Sequence, residues 1–326
     1  MSPLAYRSGR LPPPANRQRA AARQLQMLRL PLLAVLVCLA LPHVASAYVC
    51  TRASAEGPSL AWENRQVVLR YPQKSGVEVS LAQIQESLLA AAAEWGAPAC
   101  SDFQFLVGAS TDEERVGFDW RRGTDSAANQ NILVFRRGAA FGEDDAWLHP
   151  RGAIAITTLA YTRTTGTILD ADIEMNDAYF SFTACEEDAL ACTDLHDLHN
   201  TLTHELGHVV GLGHPPSSQP GASEASMFSS TSIGDRKKRD LAEDDVAGLC
   251  EIYPSGEAAG ECYSGIRPEM NVFEVKRSGC SGVHAESGSV WAWGLACCAG
   301  LCAGRRRRQR RLLTSVDDGK ESVVIC

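Results

Sequence analysis

Between residues 65 and 254 the apolar positions of the chain switch between a period of two and a period near 3.6, which predicts interleaved strands and helices and a mixed α/β (α+β) fold. Residues 65–71 alternate and read as a first strand. Ser80 and Gln83 form a capping box, and Ile84, Leu88, Ala91, Ala92 and Trp95 follow at helical spacing, giving a helix with one apolar face to lay on a sheet. Residues 103–107, 131–135 and 153–162 read as further strands, the last rich in Ile and Thr. After a turn at Thr164-Thr165-Gly166, residues 168–176 alternate by two: Ala171, Ile173 and Met175 face a core, and Asp170, Asp172, Glu174 and Asn176 face away. A long helix is predicted from an Asp194 N-cap, with Leu195, Leu198, Leu202 and Val209 as its buried stripe. His196 and His199 on its first turns read as polar surface residues, and Arg236 to Arg239 as a solvated loop. A last helix, capped by Asp240 and Glu243, turns Val246, Leu249, Cys250 and Tyr253 inward.

One run on the long helix carries chemistry: His204-Glu205-Leu206-Gly207-His208-Val209-Val210-Gly211-Leu212-Gly213-His214. Histidines four apart on a helix lie on one face, so His204 and His208 present two imidazoles to one metal. Glu205 sits beside them, placed to take a proton from a water that the metal activates and to pass it to a leaving amine. Gly211 falls where the chain must leave the helix sharply for His214 to return as a third ligand, and glycine tolerates the left-handed conformation needed there. Three protein ligands leave one position open, as in a catalytic rather than a structural zinc site.

The full HExxHxxGxxH spacing, with Met227 in Ser226-Met227-Phe228 shortly after it, resembles the metzincin clan of zinc peptidases and, within it, the matrixin branch. Residues 241–253 look like the closing helix of a matrixin catalytic domain, so the resemblance runs from about residue 65 to 253. It implies a twisted five-stranded mixed sheet with an active-site helix and a C-terminal helix. It implies Zn2+ on His204, His208 and His214, Glu205 as general base, Gly211 at the turn and Met227 supporting the site from below. Residues 153–162 would be the sheet's edge strand, holding a substrate in extended form by strand addition. For Asp170, Asp172 and Glu174 two readings stay open: a solvated acidic face, or a Ca2+ site like the one matrixins carry near this strand. A second, structural zinc is expected to be absent, since only His149 lies upstream in the mature region. The implied activity is zinc-dependent endopeptidase action on protein or peptide substrates. The alternatives are an inactive metzincin-fold module for surface binding or adhesion, which the intact Glu205 and histidine triad speak against, and a zinc hydrolase of non-peptide bonds. The loop 227–239 is expected to shape the specificity pocket.

With 45% hydrophobic and 21% charged residues the middle of the chain can bury an ordinary core. The formal charge of −8 becomes more negative without the arginine-bearing, acid-free residues 1–47, which argues against a nucleic-acid partner. Those residues read as a secretory signal: an apolar stretch from Leu30 to Leu41, then Ala45-Ser46-Ala47 as a cleavage site, with Met27 as an alternative start. The expected layout is a catalytic domain over 48–254, a linker over 255–280, a marginal membrane or sorting segment over 281–304 and a basic tail over 305–326. The order Cys280, apolar segment, arginine cluster resembles the C-terminal sorting signal of myxobacterial exported proteins, which implies a secreted or surface-retained monomer of a bacterial envelope. Export favours disulfides. Sequence proximity suggests Cys185 with Cys192, Cys250 with Cys262 and Cys50 with Cys100, though spacing does not fix connectivity. No cysteine-switch propeptide is recognisable, and too few residues separate Tyr48 from the first strand for a prodomain.

Overall fold

The computed structural model describes residues 48–122, 129–184, 194–262 and 320–325. The predicted signal, the sorting segment, most of the linker and tail, and Cys185 and Cys192 lie outside the described residues. The chain enters through β1 (Val49–Cys50) and continues into β2 (Gln66–Arg70), helix α1 (Leu81–Gly96), β3 (Gln104–Val107), β4 (Asn131–Phe135), β5 (Ala155–Thr162) and β6 (Ile168–Met175). The last five strands form the expected mixed sheet in the order β5-β6-β4-β2-β3. Pairs β2/β3, β2/β4 and β4/β6 are parallel and β5/β6 is antiparallel. The α1 capping box forms as predicted, Ser80 accepting from the Gln83 amide and Gln83 from the Ser80 amide.

Two short strands, β7 (Phe182–Thr183) and β8 (His196–Asp197), pair in parallel just ahead of α2 (Leu198–Val210); β9 (Leu212–Gly213) and α3 (Glu243–Ile252) follow. The long helix therefore starts three residues later than Asp194 predicted. Asp197 is the N-cap, because residues 196 and 197 are already committed to a strand pair. His196 is buried against the rings of Phe180 and Phe182 rather than on the surface. The apolar faces of α1 (Ile84, Leu88, Ala91, Trp95) and α2 (Leu198, Leu202, Leu206, Val209) join Val67, Leu69, Leu133, Ala171, Ile173 and Met175 in one core. Here the periodicity reading holds.

Two expectations fail. β5 is not an edge: β10 (Lys320–Ile325) runs antiparallel along it, Lys320 opposite Thr162 and Ile325 opposite Thr157, so the sheet has six strands. An extended backbone with free N–H and C=O groups accepts any strand that reaches it, and the β-branched Val323 and Ile325 suit the position. The disulfides join Cys50 to Cys262 and Cys100 to Cys250, not Cys50 to Cys100 and Cys250 to Cys262. Strand pairing decides this over proximity. β1 pairs with β9, which carries Cys50 to the region after α3, and the bridge between Ser101 and Pro254 sets the end of α1 beside the end of α3. Arg52 and Ser59 then hold the backbone of Cys262. Among the described residues no helix is long and apolar enough to cross a membrane.

Truncation before Lys320 is expected to speed hydrogen exchange in residues 157–162 while β6 keeps its protection. Unchanged exchange there would show that β10 does not cover this edge in solution.

Candidate active site

Helix α2 sets the first two histidines by its pitch, and two glycines set the rest. A Cβ on Gly207 would lie 2.1 Å from the Met227 sulfur and 2.7 Å from the Trp95 ring, so only glycine lets the methionine turn pack under the helix. Gly211 ends the helix at φ 111°, and a Cβ there would also strike the Leu60 carbonyl at 2.4 Å. The chain then reverses through β9 and brings in His214. His214 Nε2 lies 3.0 Å from His204 Nε2 and 3.1 Å from His208 Nε2. The outer nitrogens are spoken for: His204 Nδ1 donates to the Ser226 carbonyl at 2.6 Å and His208 Nδ1 to the Leu212 carbonyl at 2.9 Å. With those protons fixed outside, the Nε2 lone pairs of His204 and His208 turn inward on His214. Tetrahedral zinc with bonds of about 2.0–2.1 Å needs nitrogens about 3.3 Å apart. The donor set and spacing therefore fit zinc, and among the described residues this is the group of three side chains able to share one ion. Burial, reinforced by mutual proximity and by Lys238, holds the three imidazoles below the ordinary histidine pKa, so they are neutral at pH 7, the form that binds a metal.

Glu205 is 3% exposed, and burial raises its carboxyl to about 7. Thr157 of β5 donates to Glu205 Oε2 at 2.6 Å, opposing that rise and fixing the carboxylate against the sheet. Below the triad, Met227 is buried under Gly207. Its turn is fastened by Asp245 of α3, whose two oxygens accept the Ser226 and Met227 amides at 2.7 and 3.1 Å and the Ala242 amide at 2.9 Å. Burial raises the Asp245 carboxyl while those three amides oppose the rise. The same Ser226 whose amide Asp245 holds lends its carbonyl to His204, so α3 orients one imidazole of the triad at one remove.

Beside Glu205 lies a pocket of about 400 Å³, bounded by Ala153, Ile154 and Ala155, by Asn200 and Thr201 of α2 and by Ser229 to Thr231. Lys238 also lines it. The basic run is thus not a solvated loop: Arg239 forms a two-pronged pair with the N-cap Asp197, and Lys238 is only 2% exposed. Asn200 accepts from the Lys238 amide at 2.8 Å, which draws the residue inward.

The acidic face of β6 is buried rather than solvated. Asp172 accepts the Gly117 and Ile132 amides, while Glu174 is taken by Arg136 at 2.6 Å and by His149 at 2.8 Å. Burial pushes Glu174 up, but His149 and Arg136 outweigh it and hold it below the ordinary value. Asp170 hydrogen-bonds Asp172 and keeps one buried oxygen without a partner. Burial and the neighbouring charge raise both of these carboxyls. The three acids named in the sequence reading therefore do not converge on one point. The structure brings together the histidines, Glu205, Gly211 and Met227 named from the sequence, and sets beside them Thr157, Asp245 and Lys238, which sequence reasoning did not place at the site. The paired acids Asp244-Asp245 after the methionine were a signal for one of these; Thr157 and Lys238 carry none.

A mixed sheet with one antiparallel strand, a helix bearing two ligands, a glycine turn and a buried methionine define a metzincin-type catalytic domain. The chain belongs to the matrixin family, whose sequence model matches residues 88–254. It is 39% identical over 74 residues to the metalloendoproteinase 5-MMP of Arabidopsis thaliana, covering 22% of this chain and 19% of that protein. It is 43% identical over 58 residues to 1-MMP of the same plant, covering 18% and 14%. The match spans less than a fifth of either relative.

Asp245→Ala leaves three backbone amides without an acceptor, at about 1–3 kcal/mol each when buried. The expected result is a loss of about 3 kcal/mol or more in denaturant unfolding together with weaker zinc retention. A change below about 1 kcal/mol would remove Asp245 as the anchor of the methionine turn.

Proposed function

We propose that this chain is a zinc-dependent endopeptidase with Glu205 as its general base. The reading rests on one observation: three neutral imidazoles converge beside a buried carboxylate that opens on a pocket. When bound at His204, His208 and His214, zinc supplies Lewis acidity that polarises the scissile carbonyl and lowers the pKa of water to about 7. Glu205 accepts a proton from the attacking water as the new carbon–oxygen bond forms. It then delivers that proton to the amide nitrogen as the carbon–nitrogen bond breaks, so a carboxylate product and an amine product leave with no covalent enzyme intermediate. Thr157 holds Glu205 Oε2 in place through both transfers. Substrate would add antiparallel to β5, in the place that β10 holds from Thr162 to Thr157, and continue along Ile156 and Ala155. The proposal includes action as an exported or surface-retained monomer on protein or peptide substrates, without a nucleic-acid partner. Calcium enters in a reduced form, replacing the proton shared by Asp170 and Asp172.

Zinc-loaded protein is expected to cleave members of a broad peptide library and to stop when a chelator is added. Glu205→Ala is expected to keep zinc and lose turnover; undiminished hydrolysis would mean another base. For the acid pair, carboxyls raised in the folded state add stability that is present below the unfolded carboxyl range and lost as pH rises through the folded values. The melting temperature is therefore expected to fall between pH 5 and pH 9, and Asp170→Asn to flatten that slope. Added calcium at pH 8 should raise the wild-type value and leave Asp170→Asn unmoved; equal responses would rule out calcium at this pair.

A further inference from the structure

Lys238 is a buried cation without an anion. Its neighbours are both paired, Lys237 with Glu224 at 3.8 Å and Arg239 with Asp197 at 2.6 Å, but no carboxylate lies within ion-pair distance of Lys238 among the described residues. Glu205, Asp235 and Asp245 attract it only from farther off. Its ammonium donates to the Phe228 carbonyl. Among the described residues the other hydrogen-bonding group near it is His204 Nδ1 at 3.4 Å, and that nitrogen has its hydrogen directed at Ser226, so it offers no lone pair. An ammonium with three donors thus has one acceptor, on the wall of the pocket beside Glu205. A desolvated charge left in this state costs several kcal/mol, and an apolar occupant would deepen the cost by excluding water. A carboxylate would remove it.

The position of the pocket follows from the strand direction. A peptide that takes the place of β10, antiparallel to β5, runs from the Thr162 end toward the Ala155 end. It meets Glu205 at Thr157, so the residues that continue past Ala155 to Ala153 are those after the scissile bond. We propose that this pocket receives an Asp or Glu side chain from the residue immediately after the cleaved bond, with Lys238 as the specificity-determining residue. Asn200 sets the lysine backbone and links to Thr231 at 3.3 Å, tying the helix to the pocket rim. Ala153, Ile154 and Ala155 provide an apolar wall for the methylenes of such a side chain. This inference rests on the endopeptidase reading and names its substrate class.

The test has two arms. In the first, zinc-loaded full chain is given matched fluorogenic peptides that differ only after the scissile bond, with Glu, Gln or Leu. The expected result is a kcat/KM at least tenfold higher for Glu than for Gln or Leu, with Lys238→Met losing that preference. Equal rates for Glu and Gln, a preference for Leu, or a preference that survives Lys238→Met would overturn the proposal while leaving the endopeptidase reading intact. The second arm needs neither turnover nor a folded Lys238 variant. Zinc-loaded Glu205→Ala is titrated with two peptide hydroxamates whose adjoining side chain is that of Glu or Leu. Binding at least tenfold tighter for the Glu compound supports the pocket; equal or weaker binding sinks it, whether or not any peptide is cleaved.

Discussion

Imidazole lone pairs aimed at one point repel one another unless a cation lies between them, and much of this domain exists to hold them there against that repulsion. The restraint is distributed. The pitch of α2 sets His204 and His208. Gly211, with no Cβ to strike Leu60, sets the path to His214. The carbonyls of Ser226 and Leu212 fix the tautomers of His204 and His208. Each device is ordinary helix-end or turn chemistry, and together they leave the nitrogens little freedom to retreat. The requirement reaches far from the metal. Trp95 of α1 donates to the Thr203 carbonyl and Trp62 to the Val209 carbonyl, so helix and loop grip α2 along its length.

The surroundings of the triad are unusually rich in buried charge. Glu205, Lys238 and Asp245 are each nearly inaccessible, and burial opposes the charged form of all three. They differ in how they are compensated. Asp245 receives three amides and acts as a structural clamp. Glu205 receives one hydroxyl, enough to orient it and too little to lock it in one protonation state. Lys238 receives a single carbonyl and is the least satisfied of the three. This gradient, from fully to poorly compensated, tracks the distance of each group from a role in holding the fold and its approach to a role in handling a ligand.

What the sequence made legible was whatever depends on local spacing. The strands around 66–70, 104–107 and 131–135, the apolar face of α1, the alternation of β6 and the metal motif all follow from periods of two and 3.6, and the structure returns them with boundary shifts of one to three residues. What it concealed depends on encounters between distant segments. The disulfide pairs follow from β1 meeting β9, and the sixth strand from residues 320–325 reaching β5, neither of which has a local signature. The burial of Lys238 was hidden for a related reason: in a run of four cations the ones with partners and the one without look alike, and only Asp197 and Asn200 tell them apart. His196 was misread as a surface residue because its two aromatic neighbours, Phe180 and Phe182, come from a segment more than ten residues earlier in the chain.

The bridge between Cys50 and Cys262 places the Cα atoms of those residues 6.2 Å apart, at the two boundaries of the catalytic fold. The stretch from Cys50 to Cys262 therefore starts and returns at one small region, while β10 joins the sheet from outside that stretch. Covalently, residues 50–262 form one closed loop. A pull applied between Cys50 and Cys262 would be borne by a sulfur–sulfur bond and would leave the helix that carries His204 and His208 unstretched.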